Sequence, residues 1–186
     1  MRRRPRSFSI TMQLTLSKST IRFLRATDAA SLTKHVGTYS VARNMSAIPH
    51  PYSLQDADEW IAKATSRTPQ THFAIVVDGE AVGGIGVEVG DRGLAVSEHC
   101  AELGYWLGES FWGRGIMSEA VVALTEWAFT DLGLVRLHAA VYARNPTSAR
   151  VLEKAGYQFE GRQRARYFKD GEFIDGLVFA KVRLPG

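Results

Sequence analysis

Between Glu102 and Ala120 the chain reads Glu-Leu-Gly-Tyr-Trp-Leu-Gly-Glu-Ser-Phe-Trp-Gly-Arg-Gly-Ile-Met-Ser-Glu-Ala. The run to Leu107 has the character of a strand. Glycines follow at Gly108, Gly113 and Gly115, and an amphipathic helical pattern starts directly after them. A helix entered through such a loop leaves its first backbone N–H groups without intrahelical partners, at the positive end of the helix dipole. That end suits a phosphate or diphosphate. Glycine lets the main chain approach an anion closely, and Arg114 can add charge. The candidate anion-binding residues therefore run from Trp112 to Ser118, with Gly113, Arg114, Gly115, Ile116 and Met117 between them.

What the sequence lacks narrows the ligand. A dinucleotide fold wants G-x-G-x-x-G, which Gly113, Gly115 and Ser118 approach, and an acidic residue at the end of the next strand to hold a ribose. That strand ends Val141-Tyr142-Ala143-Arg144, with no acid. Neither a G-x-x-x-x-G-K-S/T P-loop nor a G-x-S-x-G nucleophile elbow occurs. His35, His50, His72, His99 and His138 form no H-x-x-x-H pair, and the single Cys100 excludes an internal disulfide and a thiolate cluster. No metal is expected, and Cys100 reads as a small hydrophobe within a strand. Arg162, Arg164 and Arg166, spaced by two, read as one solvated side of a strand, so no nucleic-acid partner is expected.

The loop needs a strand before it and a helix after it. A helix from about Gly115 to Asp131 buries Met117, Ala120, Val121, Leu124, Trp127 and Ala128 at i, i+3, i+4, i+7 spacing. A strand Val135–Tyr142 alternates Val135, Leu137, Ala139 and Val141 on one face. Strand, long helix and strand make one parallel crossover unit. Upstream, Leu14–Leu16 and Ile21–Leu24 read as an opening strand pair or one interrupted strand, and Asp28 can cap a helix to about Val36. Ser53 and Asp56 form a capping pattern before a helix to about Ala64, entered from the stiff loop Ile48-Pro49-His50-Pro51-Tyr52. Strands His72–Val77 and Ala81–Val89 join through Asp78-Gly79, a strong hairpin signal. Gly83, Gly84 and Gly86 suggest a bulge or a close backbone approach. A polar loop leads to the strand Cys100–Leu107. Downstream, a helix Pro146–Ala155 has Asn145 at its N-cap, Pro146 at N1 and Gly156 at C′. Strands Tyr157–Phe168 and Phe173–Val182 close the chain around Asp170-Gly171. The fold class is α+β, with a mixed sheet.

The whole chain, 186 residues, has the length of one domain. Its 45% apolar and 23% charged residues are ordinary globular usage, which excludes wholesale disorder, collagen and coiled coil. No stretch approaches the ~18–20 apolar residues of a membrane span. Lys plus Arg number 23 against 19 Asp plus Glu, and Arg2, Arg3, Arg4 and Arg6 account for the whole excess. The tip MRRRPRSFSI lacks the apolar stretch and cleavage site of a secretory signal. It reads as a flexible basic tail over residues 1–12, ahead of a single domain over 13–186 in a cytoplasmic protein.

Trp112-Gly-Arg-Gly-Ile-Met117 falls where the GNAT superfamily of acetyl-CoA-dependent N-acetyltransferases carries its Q/R-x-x-G-x-G/A loop. Asn145-Pro-Thr-Ser148-Ala-Arg-Val-Leu-Glu-Lys-Ala-Gly-Tyr157 resembles that family's second motif, and Tyr167-Phe-Lys-Asp-Gly-Glu-Phe-Ile-Asp175 resembles the terminal strand pair of its RimJ/RimL branch, the ribosomal-protein N-terminal acetyltransferases. Arg25-Ala-Thr-Asp-Ala-Ala and the Pro49–Trp60 stretch are also similar, so the resemblance covers about residues 20–183. Trp112 in place of Gln or Arg, and Met117 in place of Gly or Ala, are departures common in that branch. Leu152 stands where many relatives have an acidic tyrosine, and leucine has no proton to give.

The resemblance implies a GNAT fold: a mostly antiparallel mixed sheet with a splayed parallel strand pair, flanked by about four helices. It implies acetyl-CoA as cosubstrate and a primary amine as acceptor, foremost a protein N-terminal α-amine such as that of a ribosomal protein. The alternatives are a small amine (aminoglycoside, polyamine or amino acid) and a CoA-binding domain without turnover. By the same resemblance the backbone N–H near Leu107 faces the thioester oxygen, Asn145 helps frame the CoA cleft, and Ser148 protonates the leaving thiolate. A carboxylate must take the amine's proton. The candidates are Glu102 and Glu109, of which Glu109 matches the RimL-like position better. The acceptor site is expected from the Pro49–Tyr52 loop and the Tyr167–Gly171 turn, in a monomer or homodimer with no membrane partner. At neutral pH ~10–20% of α-amines are already neutral, against under ~0.1% of lysines, a gap of ~3.5 kcal/mol. A modest base therefore favours an α-amine.

Overall fold

The computed structural model describes residues 12–90 and 98–184. Its strands are β1 (Gln13–Thr15), β2 (Thr20–Phe23), β3 (His72–Val77), β4 (Glu80–Val89), β5 (Cys100–Leu107), β6 (Arg136–Tyr142), β7 (Gln158–Lys169) and β8 (Glu172–Val182). The α-helices are α1 (Ala29–Val36), α2 (Tyr39–Ala42), α3 (Leu54–Thr65), α4 (Ile116–Thr130) and α5 (Pro146–Lys154). One eight-stranded sheet runs β1-β2-β3-β4-β5-β6-β8-β7. Every neighbouring pair is antiparallel except β5 and β6. This is the GNAT fold that the sequence leads one to expect.

Local chemistry builds the hairpins. Asp78 (φ 50°) with Gly79 (φ 84°), and Asp170 (φ 54°) with Gly171 (φ 81°), turn the chain with the left-handed backbone that a two-residue hairpin requires. Both features suggested by the glycines of β4 are present, the bulge beside them at Val82 and the close approach at Gly86. The β3–β4 register slips between Ile75 and Val76. A Cβ on Gly86 would lie 2.6 Å from His72 Cδ2 and 2.8 Å from Thr71 O.

Alternation along the strands divides the core in two. Leu103 and Leu107 of β5, with Leu137, Ala139 and Val141 of β6, pack under α4 and α5 through Ala120, Val121, Leu124 and Leu152. On the opposite face Leu32 of α1 and Ala57 and Ile61 of α3 cover Ala74 and Ala81, with Trp106 of β5 beside them. Parallel pairing between β5 and β6 is confined to Cys100–Glu102 against Arg136–His138. Beyond it β6 stays with β8 as far as Tyr142 opposite Gly176. The last five residues of β5 therefore leave β6, and a gap opens through the sheet.

Several expectations are corrected. Asp28 does not cap α1 with its side chain. Its carboxylate accepts two 2.8 Å hydrogen bonds from Arg22, and a third from the Arg25 amide. A bidentate guanidinium is a stronger partner than helix amides. Arg162, Arg164 and Arg166 do not form an even row. The β7–β8 register breaks between Gln163 and Tyr167, and Ala165 adopts φ 50°. The single turn α2, which no sequence signal marks, brings the α-helices among the described residues to five against about four expected. Met12, placed in the tail, is only 9% exposed and joins the core. The basic tip and most of the polar loop before Cys100 lie outside the described residues. No helix among the described residues is long and apolar enough to cross a membrane.

Candidate active site

A cavity of about 1390 Å³ passes through the gap between β5 and β6 and opens on both faces of the sheet. Its wall on the α4/α5 side includes Trp112, Gly113, Gly115, Ile116, Met117 and Ser118. Gly113 (φ 75°) and Gly115 (φ 79°) adopt conformations that other residues rarely hold, and Gly115 is the N-cap of α4 with no side chain capping the helix. Fifteen residues of helix thus aim uncapped amides into a cavity. That arrangement fits a diphosphate.

Two loop residues do something other than expected. Arg114 is off the cavity wall. Its guanidinium donates to Ser110 O (2.7 Å) and lies over the Phe111 ring. Trp112 donates its indole N–H to Leu107 O at 2.7 Å. It thereby holds a carbonyl at the end of the departing strand. Gly108 N–H points to Val82 O of β4 (2.8 Å), so strand alternation turns the Leu107 N–H the other way, toward the gap. From outside, the Ser17-Lys18 turn braces the loop: Lys18 Nζ donates to Arg114 O (2.8 Å), and Ser17 N–H to Glu119 Oε1 (2.8 Å). The Ser17 amide holds the Glu119 carboxyl below its ordinary pKa.

Asn145 caps α5 as the sequence predicts, its Oδ1 accepting from the Ser148 amide at 3.2 Å. Ser148 lines the cavity. Its hydroxyl is 2.9 Å from the Tyr105 hydroxyl, which also donates toward Ser148 O at 3.1 Å. Burial pushes the Tyr105 pKa up, only partly offset by the bond to Ser148. Leu152, one turn further on, is fully buried.

The two carboxylates diverge. Glu102 lies on the α1/α3 face of β5, opposite Glu88 in the ladder, and lines the cavity. Among the described residues no hydrogen bond or ion pair engages it. Glu109 sits in the single 3-10 turn after β5, off the wall, where Ser40 Oγ donates to it at 2.5 Å. Tyr52, Pro49 and Ile48 form part of the wall on this side, with the Tyr167 ring tilted 58° against that of Tyr142 at 4.7 Å. Of the Tyr167–Gly171 turn only Tyr167 reaches the cavity. Lys169 instead fastens the roof, donating to Met45 O (2.6 Å) and Ile48 O (3.0 Å).

Sequence reading missed Tyr105 as a polar contact, since nothing local tells a phenol that meets a serine from one that only packs. Arg150 and Lys154, also on the wall, were legible as an i, i+4 pair of cations on one face of α5. Charged helix residues read first as solvated.

Residues 18–158 match the family model described as an acetyltransferase (GNAT) domain. N-acetyltransferase p20 of Bacillus licheniformis, itself uncharacterised, is 30% identical over 168 residues, covering 88% of this chain and 92% of that protein. The L-amino acid N-acetyltransferase AaaT of Escherichia coli strain K12 is 23% identical over 168 residues, 90% of this chain and 100% of that protein. Among solved structures, the ribosomal-protein-S5-alanine acetyltransferase of Vibrio fischeri superposes with a TM-score of 0.80 at 21% identity, covering 92% of this chain and 96% of that one.

Proposed function

The chain belongs to the GNAT acetyltransferase family and is an N-acetyltransferase with acetyl-CoA as acyl donor, and from that premise we propose that its acceptor is an α-amine, foremost that of a protein N-terminus. The observation that carries this reading is the cavity through the sheet. It has an uncapped helix N-terminus on one face and on the other the Glu102 carboxylate, which has no partner among the described residues.

The amides from Gly113 to Ser118 would hold the diphosphate, and Arg150 and Lys154 supply positive charge along the same wall. Acetyl-CoA bound there supplies an activated acyl group and a thiolate leaving group. Leu107 offers its N–H into the gap, where it can stabilise negative charge on a carbonyl oxygen. Glu102 takes a proton from the incoming ammonium, directly or through one water. Ser148 gives a proton at Oγ to the departing sulfur. Glu102 is preferred over Glu109 because it faces the cavity and has no competing partner among the described residues, whereas Glu109 is engaged by Ser40.

A free amino acid is the second reading, favoured by the full-length match to an L-amino acid acetyltransferase. Thiol release from acetyl-CoA decides between them, measured against peptides with free or blocked N-termini, free amino acids and lysine-bearing peptides. Turnover on free N-termini that disappears on blocking is expected. Glu102→Gln should lower kcat by ~10²–10⁴, with Glu109→Gln near wild type. Transfer confined to lysine side chains, or an undiminished Glu102→Gln, would defeat the reading.

A further inference from the structure

Resting on the proposed chemistry, we infer that Ser148 does not act alone: Tyr105 is a positioning residue that aims the serine hydroxyl and stabilises it as it gives up its proton. Serine by itself is a weak acid, and Leu152, one turn further along α5, has no proton to offer. In this protein a phenol reaches the same place from the sheet. Tyr105 shares its face of β5 with Leu103 and Leu107, and its ring packs against the core beneath α4 and α5. Its hydroxyl meets Ser148 Oγ at 2.9 Å and Ser148 O at 3.1 Å. The Asn145 cap fixes the Ser148 main chain from the other side.

One phenolic proton faces two acceptors. A carbonyl can only accept, whereas a serine hydroxyl can accept from Tyr105 and still donate its own proton elsewhere. With the Tyr105 proton on Ser148 Oγ, the serine proton is free to point into the cavity. As it moves to the sulfur, the Oγ–H bond breaks, an S–H bond forms and negative charge grows on Oγ. The hydrogen bond from Tyr105 then becomes charge-assisted and shortens. Burial keeps the phenol protonated, so Tyr105 gives a hydrogen bond and keeps its proton. As the N–C bond forms and the C–S bond breaks, the substrate nitrogen sheds two protons on its way from ammonium to amide; Glu102 passes each in turn to solvent, Ser148 recovers one from solvent, and one proton is released net.

The test uses the full-length protein with Tyr105→Phe, Ser148→Ala and the double variant. Rates are compared at a temperature where circular dichroism finds all of them folded. Tyr105→Phe keeps the ring and removes only the hydroxyl. The expected result is a loss in kcat of about 10- to 100-fold, the scale of one hydrogen bond to a charged group, with KM for acetyl-CoA and for the amine unchanged. Ser148→Ala should lose at least as much, and the double variant no more than Ser148→Ala, because the phenol acts through the serine. A wild-type kcat in Tyr105→Phe overturns the inference. So do losses that multiply in the double variant, a defect confined to KM, or an active Ser148→Ala beside an inactive Tyr105→Phe. If the wild type binds acetyl-CoA by calorimetry but acetylates no amine, the functional reading falls and this inference with it. An unchanged Tyr105→Phe in an active enzyme removes the inference alone.

Discussion

Gly115 and Gly104 both line the cavity, yet they are glycine for different reasons. Gly115 holds φ 79°, where a Cβ would also come within 3.0 Å of Lys18 Nζ. Lysine can move aside, so the backbone conformation carries the cost, about 1–2 kcal/mol for an L-residue. Gly115→Ala should therefore lower the melting temperature and weaken acetyl-CoA binding together, because the strained residue is the one that starts α4. Gly104 has no such conformation, and a Cβ there meets nothing within 4 Å. Gly104→Ala should leave stability unchanged or raise it by about 0.4–1 kcal/mol through the unfolded chain. The added methyl projects from the Glu102 side of β5 into the cavity, so KM for the amine should rise while acetyl-CoA binding holds. Thermal melts and calorimetry on the two variants separate a conformational glycine from one that keeps space open. A matched loss of donor affinity in both would remove the distinction.

At the scale of elements, α5 ties local folding to chemistry. The amide that Asn145 caps belongs to Ser148, so the residue that starts the helix also orients the proposed proton donor. Asn145→Ala is expected to cost about 1 kcal/mol in stability and to lower kcat beyond what that loss explains, since most molecules remain folded. A variant with reduced stability and full kcat at low temperature would show that the cap serves the helix only. This cap was readable from Asn145, Pro146 and Gly156, as were the Asp-Gly turns and the Gly113–Ser118 loop, because each signal lies within a few consecutive residues. What was not readable depends on partners distant in sequence. Asp28 has the chemistry of a cap but meets Arg22 from the neighbouring strand. The arginines of β7 have the spacing of a row but lie across a register break. The preference for Glu109 followed its position in a motif, whereas its engagement with Ser40, 69 positions away, exists only in the fold. Tyr105 likewise finds Ser148 across 43 positions.

Across the whole molecule, the acceptor face depends on α3 staying seated on the sheet, and His72 is part of that seat. Its ring meets Trp60 of α3 edge-on at 5.2 Å and fills the space that glycine leaves at position 86. Burial holds its pKa below the ordinary value, against the opposing pull of Glu88, while Arg67 and Lys63 add to the depression. Glu88 is 3.3 Å away and is itself paired with Arg67. The folded state therefore prefers neutral imidazole more than the unfolded chain does. Below the unfolded value of about 6.5 the unfolded chain binds more protons, so stability from this residue is present above about 6.5 and is lost as pH falls through the lower folded value. His72→Gln keeps a polar, uncharged side chain at the site and removes the titration. The wild type should lose melting temperature on acidification from pH ~7 to ~5 more steeply than His72→Gln, whatever their difference at pH ~7.5. Carboxylates shared by both proteins titrate mainly below that window, near pH ~4. Parallel curves through the window would mean that His72 accepts its proton in place, with Glu88 compensating fully for burial.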